Sequence, residues 1–208
     1  MPNHRLFLAI KLPQELLAQL HSYQEQLNPQ IFQIVEEDKL HLTLIFLGYV
    51  EEEKIKQIQD ITLEMTQNFQ PQSIQFLETG YGPASPAGGP ACAGRSNPKF
   101  PRLIWLEGFL HQGLEQLKKV LEKELRDKAK IILEKENRSF LPHITLARIK
   151  THLSNNLPSE TKINAKINFC FSPSSLWLME SHLKRTGAEY TDLAEFRFKD
   201  YLKNKLLK

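Results

Sequence analysis

Residues 41–48 read HLTLIFLG and residues 143–150 read HITLARIK, and the organisation of the chain follows from recognising one pattern used twice. Each stretch opens on His-x-Thr-Leu. Alternation across a strand puts His41 and Thr43 on one face and Leu42, Leu44 and Phe46 on the other. The same rule sets His143 and Thr145 against Ile144 and Leu146. Each stretch therefore offers an imidazole and a hydroxyl to one side and an apolar anchor to the reverse. A lone His-x-Thr means little in a chain with seven histidines. Two His-x-Thr-Leu matches arise by chance roughly once in a thousand such chains.

Working outward, each stretch closes a similar run of elements. Ahead of His41 stand a strand at 5–12 (RLFLAIKL), a helix opened by Pro13 with Leu16, Leu17, Leu20 and Leu27 at helical spacing, and the short β-prone piece IFQIV. Ahead of His143 stand a strand at 102–109 (RLIWLEGF), an amphipathic helix at 111–130 with Leu114, Leu117, Leu121 and Leu125 inward, and a strand IILEKE that pairs with the His143 stretch. Leu6 to His41 is 35 residues and Leu103 to His143 is 40. Gly48 closes the first His strand, a helix fills 51–68, and SIQFLET at 73–79 adds a strand. KINFCFSP, SLWLMESHL and YTDLAEFRF read as closing strands over 165–198, with a turn near Thr186 and Gly187. This predicts an α+β fold in one domain over 1–208. It has two pseudo-symmetric lobes (5–79 and 102–150), each an antiparallel sheet backed by helices, with a cleft between them.

Residues 80–101 hold five of the nine glycines and five of the twelve prolines, which predicts a long irregular loop, either a lid or a tolerated surface insertion. With 41% hydrophobic and 25% charged residues, the composition excludes disordered, collagen-like and coiled-coil classes. A net charge of +3 neither requires nor excludes a nucleic-acid partner. Cys92 and Cys170 match no metal-finger or redox spacing, and no run approaches a membrane span. The expectation is a monomeric cytoplasmic protein with no membrane association and no obligate protein partner.

Two groups that titrate near neutrality and flank one substrate suit general acid–base catalysis: one imidazole takes a proton from water and the other gives one to a leaving oxygen. The Thr43 and Thr145 hydroxyls can donate to phosphate oxygens as charge builds there. Metal coordination is the competing use of histidine, and it fits poorly because no Asp, Glu or Cys accompanies either His at ligand spacing. No cofactor and no metal are expected. Arg148 falls on the opposite parity from His143 and Thr145, so it reaches their face only through a bulge or a turned strand end. Phe7 shares a face with Arg5, Ala9 and Lys11, where it either stacks a nucleobase or packs the core. His4, His21, His111, His152 and His182 lack a partner threonine and read as surface or helix-face residues.

The sequence resembles the two-histidine phosphoesterases, and within them the RNA 2′,3′-cyclic phosphodiesterases once called 2′-5′ RNA ligases. The resemblance runs through RLFLAIKLP (5–13), KLHLTLIFLGYV (39–50), PRLIWLEG (101–108), FLPHITLARIK (140–150) and SLWLMESHLKRTGAEYTDLAEF (175–196). It implies metal-independent opening of a terminal 2′,3′-cyclic phosphate to a 2′-phosphate, on RNA 3′ ends or nucleotides. His41 would donate a proton to the O3′ leaving group and His143 would accept one from water. Thr43, Thr145 and, in the match to HxTLxR, Arg148 would hold the phosphate. The 80–101 loop departs from the family, which puts substrate size and access in question. The alternatives are another small cyclic phosphate, 2′-5′ joining of RNA ends, or a non-catalytic nucleotide- or RNA-binding module.

Overall fold

The computed structural model describes residues 3–70, 73–82, 102–109, 112–133, 140–150, 163–184 and 187–199. The described chain runs β1 (Asn3–Lys11), α1 (Gln14–Gln24), β2 (Phe32–Ile34), a single 3-10 turn, β3 (His41–Glu51), α2 (Glu52–Asn68) and β4 (Ile74–Tyr81). It continues through β5 (Leu103–Gly108), α3 (Gln112–Asp127), β6 (His143–Ile149), β7 (Lys166–Phe171), β8 (Ser175–Lys184) and β9 (Gly187–Arg197). The fold is α+β, and its strands form one nine-stranded antiparallel sheet in the order β7-β4-β5-β6-β3-β1-β8-β9, with β2 also on β6.

The two His-x-Thr strands meet at the middle of this sheet. β3 touches β6 through one residue pair, Leu42 with Ile144, while β2 occupies the rest of the same β6 edge from Phe32 to Ile34. Strand pairing crosses the boundary of the expected repeat. β4, which follows β3 in sequence, pairs with β5 and β7, and β1 takes β8 as its second neighbour.

Apolar patterning explains why one face of the sheet is closed. Leu6, Leu8 and Ile10 of β1, Leu42 and Leu44 of β3, Ile104 and Leu106 of β5 and Ile144 and Leu146 of β6 all enter one core. The same core takes Leu16 and Leu20 of α1, Ile58 and Ile61 of α2, and Leu114, Leu117, Leu121 and Leu125 of α3. Leu42 and Ile144 are fully buried at the seam, where truncation to Ala costs about 2–5 kcal/mol. The helices thus cover one face and leave the other, carrying both histidines, open to solvent.

Two local expectations change. Gly48 sits within β3 at φ +73°, opposite Leu6, at a bulge whose extra residue is Leu47. A left-handed φ there favours glycine, and the chain continues as strand to Glu51. Ile131–Leu133, the start of the expected strand IILEKE, have no regular structure after Lys130 at φ 53°. Residues 134–136 of that piece, and 83–101 of the Gly/Pro stretch, lie outside the described residues, as does Thr186 of the expected turn. Among the described residues no helix is long and apolar enough to cross a membrane.

Candidate active site

The open face carries a cleft of about 460 Å³ lined by Arg5, Phe7, His41, Thr43, Phe46, His143, Thr145, Arg148 and Tyr190, with Lys39 and Lys184 at its margins. The Leu42–Ile144 pair sets an antiparallel register that counts His41 against Thr145 and Thr43 against His143. Because Leu42 and Ile144 point into the core, the four polar side chains share the other face. The two His-x-Thr units thus lie side by side and antiparallel at the middle of the sheet.

Both imidazoles are anchored the same way. His41 Nδ1–H donates to the Lys39 carbonyl at 2.8 Å, and His143 Nδ1–H donates to the Leu141 carbonyl at 2.9 Å. A carbonyl only accepts, so each Nδ1 keeps its proton and each Nε2 is the nitrogen that exchanges one. At His41 that nitrogen faces Thr43 Oγ1 at 3.0 Å. The rings differ in their walls. His41 sits against Phe7 at 5.0 Å and edge-on to Tyr190 at 5.0 Å. Burial pushes the His41 pKa below the ordinary imidazole value, the charge of His143 lowers it further, and the Lys39 carbonyl opposes both by favouring the protonated ring. His143 instead stacks on Trp105, with centroids 3.7 Å apart and planes 16° from parallel.

Comparison with known proteins decides the family. The RNA 2′,3′-cyclic phosphodiesterase of Methanocaldococcus jannaschii is 31% identical over 146 residues, which cover 70% of this chain and 72% of that protein. The chain belongs to the LigT-like phosphoesterase family. The family model matches residues 10–92. The Thermus thermophilus RNA 2′,3′-cyclic phosphodiesterase is 30% identical over 198 residues, 92% of this chain and 89% of its own length. Among solved structures, the Thermus thermophilus protein TT0787 superposes with a TM-score of 0.74 at 26% identity, covering 94% of this chain and 98% of that one. Escherichia coli LigT complexed with 3′-AMP gives 0.69 at 26% identity, covering 96% and 100%. The protein is therefore an enzyme of the phosphoesterase class.

Within this LigT-like frame, Arg148 reaches the histidine face despite its parity, and a bulge does it. β5 pairs Ile104 with Ala147 and Trp105 with Thr145, leaving Leu146 as the extra residue. Arg148 accordingly lines the cleft. β3 contains the same device: Leu8 pairs with Ile45 and Ala9 with Thr43, so Leu44 is extra. Phe46, expected beside Leu42 and Leu44, is instead 61% exposed and lines the cleft. The β6 bulge is tied down from the first half of the chain. The Leu146 carbonyl accepts from Val35 N at 3.0 Å and from the buried Gln24 Nε2 at 2.8 Å, and Gln24 also donates to the Val35 carbonyl at 2.9 Å.

Phe7 lines the cleft but is only 3% exposed, packed with Ala9, Met179, Trp177 and Tyr190 beneath His41. Its ring is a floor, whereas Phe46, 6.2 Å away, is the one open to a ligand. Alternation missed Phe46, and the signal for it was the apolar doublet Leu44-Ile45, matched by Leu146-Ala147. Arg5, held by a bond from Nη1 to Ser181 Oγ at 3.0 Å, and Tyr190 also join the site without having been singled out. Of the other histidines, His21 pairs with Glu25, and His4 and His182 both face Glu180, away from the cleft. His111 and His152 lie outside the described residues. Among the described residues, no three His, Cys, Asp or Glu side chains are grouped to hold a metal ion.

Proposed function

We propose that this protein hydrolyses 2′,3′-cyclic phosphates on RNA 3′ ends or nucleotides to 2′-phosphates, acting as a monomeric two-lobed domain without a metal. The observation that carries the reading is the matched anchoring of His41 and His143, which aims two Nε2 atoms and two hydroxyls into one cleft. The names of the relatives support the substrate class.

In this reaction His143 Nε2 accepts a proton from water as its oxygen bonds to phosphorus. The bond from phosphorus to O3′ breaks, and His41 Nε2–H protonates the departing oxygen. The product carries a 2′-phosphate and a free 3′-hydroxyl, and the enzyme resets when His143 releases its proton and His41 regains one. Thr43, Thr145 and Arg148 donate to the non-bridging oxygens, where negative charge grows in the transition state. Burial resists protonation of His41 in the empty cleft, and an anionic phosphate beside it offsets that resistance. A His41 that holds its proton weakly is also a stronger acid toward O3′. Phe46 supplies the open ring for the base, and Phe7 supports His41 from below.

The test offers 2′,3′-cyclic AMP in excess EDTA and identifies the product isomer. Formation of 2′-AMP, lost in His41→Ala and in His143→Ala separately, is the expected result. A 3′-phosphate product, a requirement for divalent metal, or binding without turnover would overturn the reading.

A further inference from the structure

Trp105 makes the closest ring contact among the described residues, lying almost flat on His143 at 3.7 Å. The His41 ring has no such partner, since its neighbours Phe7 and Tyr190 meet it tilted at 34° and edge-on at 85°. The indole is itself held from its surroundings. Trp105 stands across from Thr145 on β5, next to the bulge that turns Arg148 inward. From the end of β4, Gly82 presses on it: a Cβ there would come within 2.8–3.0 Å of Cε2, Cδ2 and Nε1, and Gly82 N is pinned to the Leu103 carbonyl at 2.9 Å. The indole N–H is buried and meets no acceptor among the described residues, so the ring is placed by its faces and not by its polar edge. A flat, electron-rich face against an imidazole attracts the cation more than the neutral ring.

We propose that Trp105 is a positioning residue for the proton-accepting step: its face fixes the plane of His143 and favours the imidazolium that forms when water gives up its proton. This rests on the role proposed above for His143. It also divides the two histidines physically, because His41 is enclosed without a stacked face and His143 rests on one. Glu107 on β5 is paired with His143. Among the described residues, the charged or titratable groups that line the same cleft are Arg148 on its own strand, His41 on β3, Glu36 and Lys39 from the segment before β3, Arg5 on β1, Lys184 on β8 and Tyr190 on β9. Glu107 and Glu36 carry charge that would act in the same direction as the indole. Glu107 stands directly opposite, so its effect has to be measured separately.

The experiment follows His143 by NMR titration of Cε1-labelled histidine in the full-length protein, beside the pH dependence of kcat/KM on 2′,3′-cyclic AMP. Trp105→Leu should lower the His143 midpoint by about 0.5–1 pH unit and pull the pH limb of kcat/KM that reports His143 down with it. It should also reduce kcat by about tenfold to a hundredfold. Trp105→Phe, which keeps an aromatic face, should recover most of both effects, and Glu107→Gln should not reproduce the loss of kcat. Should Trp105→Leu fail to fold, Gly82→Ala displaces the indole instead and should move the midpoint in the same direction. An unmoved midpoint and limb despite lost activity, or a Phe variant as impaired as the Leu variant, would overturn the proposal. If the wild type does not turn over a cyclic phosphate, the functional reading falls, and the titration still decides whether the indole supports the imidazolium.

Discussion

The strand carrying His41 and the strand carrying His143 share a backbone and differ in their surroundings. Each has the anchored Nδ1, the same-face threonine, the fully buried residue between them and an extra leucine that swings the residue five positions on into the cleft. That swung residue is Phe46 on β3 and Arg148 on β6. Across from the threonine stands Ala9 in one case and Trp105 in the other, and across from the histidine stands Lys11 in one case and Glu107 in the other. The matched backbone presents two imidazoles with the same free Nε2. Their walls are unequal: an aromatic floor under His41, and a stacked indole with a guanidinium nearby at His143. In the proposed reaction that asymmetry would let one motif serve opposite proton transfers.

The comparison is broken most severely at the histidines. His41→Ala and His143→Ala should each lower kcat by about 10²–10⁴-fold, and the double variant should lose far less than the product of the two, because paired groups act as a unit. Steady-state kinetics on 2′,3′-cyclic AMP checks both statements. A full multiplicative loss would mean that the two act independently.

Next comes the swung residue. Arg148→Ala removes charge-assisted hydrogen bonds worth about 1.5–3 kcal/mol, so kcat/KM should fall by about tenfold to a hundredfold whatever base the substrate carries. Phe46→Ala removes a stacking surface and should raise KM while sparing kcat. Equal effects of the two variants on kcat would erase the distinction drawn between phosphate and base contacts.

The bulge that aims Arg148 is held by a side chain far away in sequence. Gln24→Leu strips the Leu146 and Val35 carbonyls of a buried donor, at about 1–3 kcal/mol of stability by denaturant titration. Its kcat/KM should drift toward that of Arg148→Ala. A destabilised variant with undiminished kcat/KM would show that the bulge holds without Gln24.

The smallest effect is a displaced limb in the pH profile. Adding a second proton to the pair requires charging His41, which burial disfavours, so activity should fall on acidification only below the ordinary imidazole range. Opening the pocket with Tyr190→Ala relieves that burial and should move the acid limb upward. An acid limb already above the ordinary imidazole value in the wild type would contradict the enclosure of His41.

Much of this was legible in the residues because period-2 alternation and a repeated four-residue motif are both local signals. The faces of His41, Thr43, His143 and Thr145 follow from parity alone, and β1 reads as a buried strand because Leu6 to Ile10 is apolar throughout. What alternation could not give is where alternation breaks. Leu44-Ile45 and Leu146-Ala147 each add one residue, and everything after them changes face, which is why parity puts Phe46 and Arg148 on the wrong side. Strand partners chosen across the whole chain were equally hidden. That β4 joins β5, that β2 caps the edge of β6, and that Gln24 braces Leu146 depend on which edges lie open once the core has formed. Trp105 stands in plain view within LIWLEG, but only the register of β5 against β6 sets it opposite Thr145, within stacking reach of His143.

The proposed division of labour between the two histidines is tested most directly with a 2′,3′-cyclic phosphate whose bridging O3′ is replaced by sulfur. A thiolate departs without needing a proton. His41→Ala should then cleave the sulfur-bridged substrate within about tenfold of the wild-type rate, while His143→Ala stays slow, because only the water-activating step still needs a base. Recovery of His143→Ala, with His41→Ala remaining slow, would contradict the assignment of donor and acceptor.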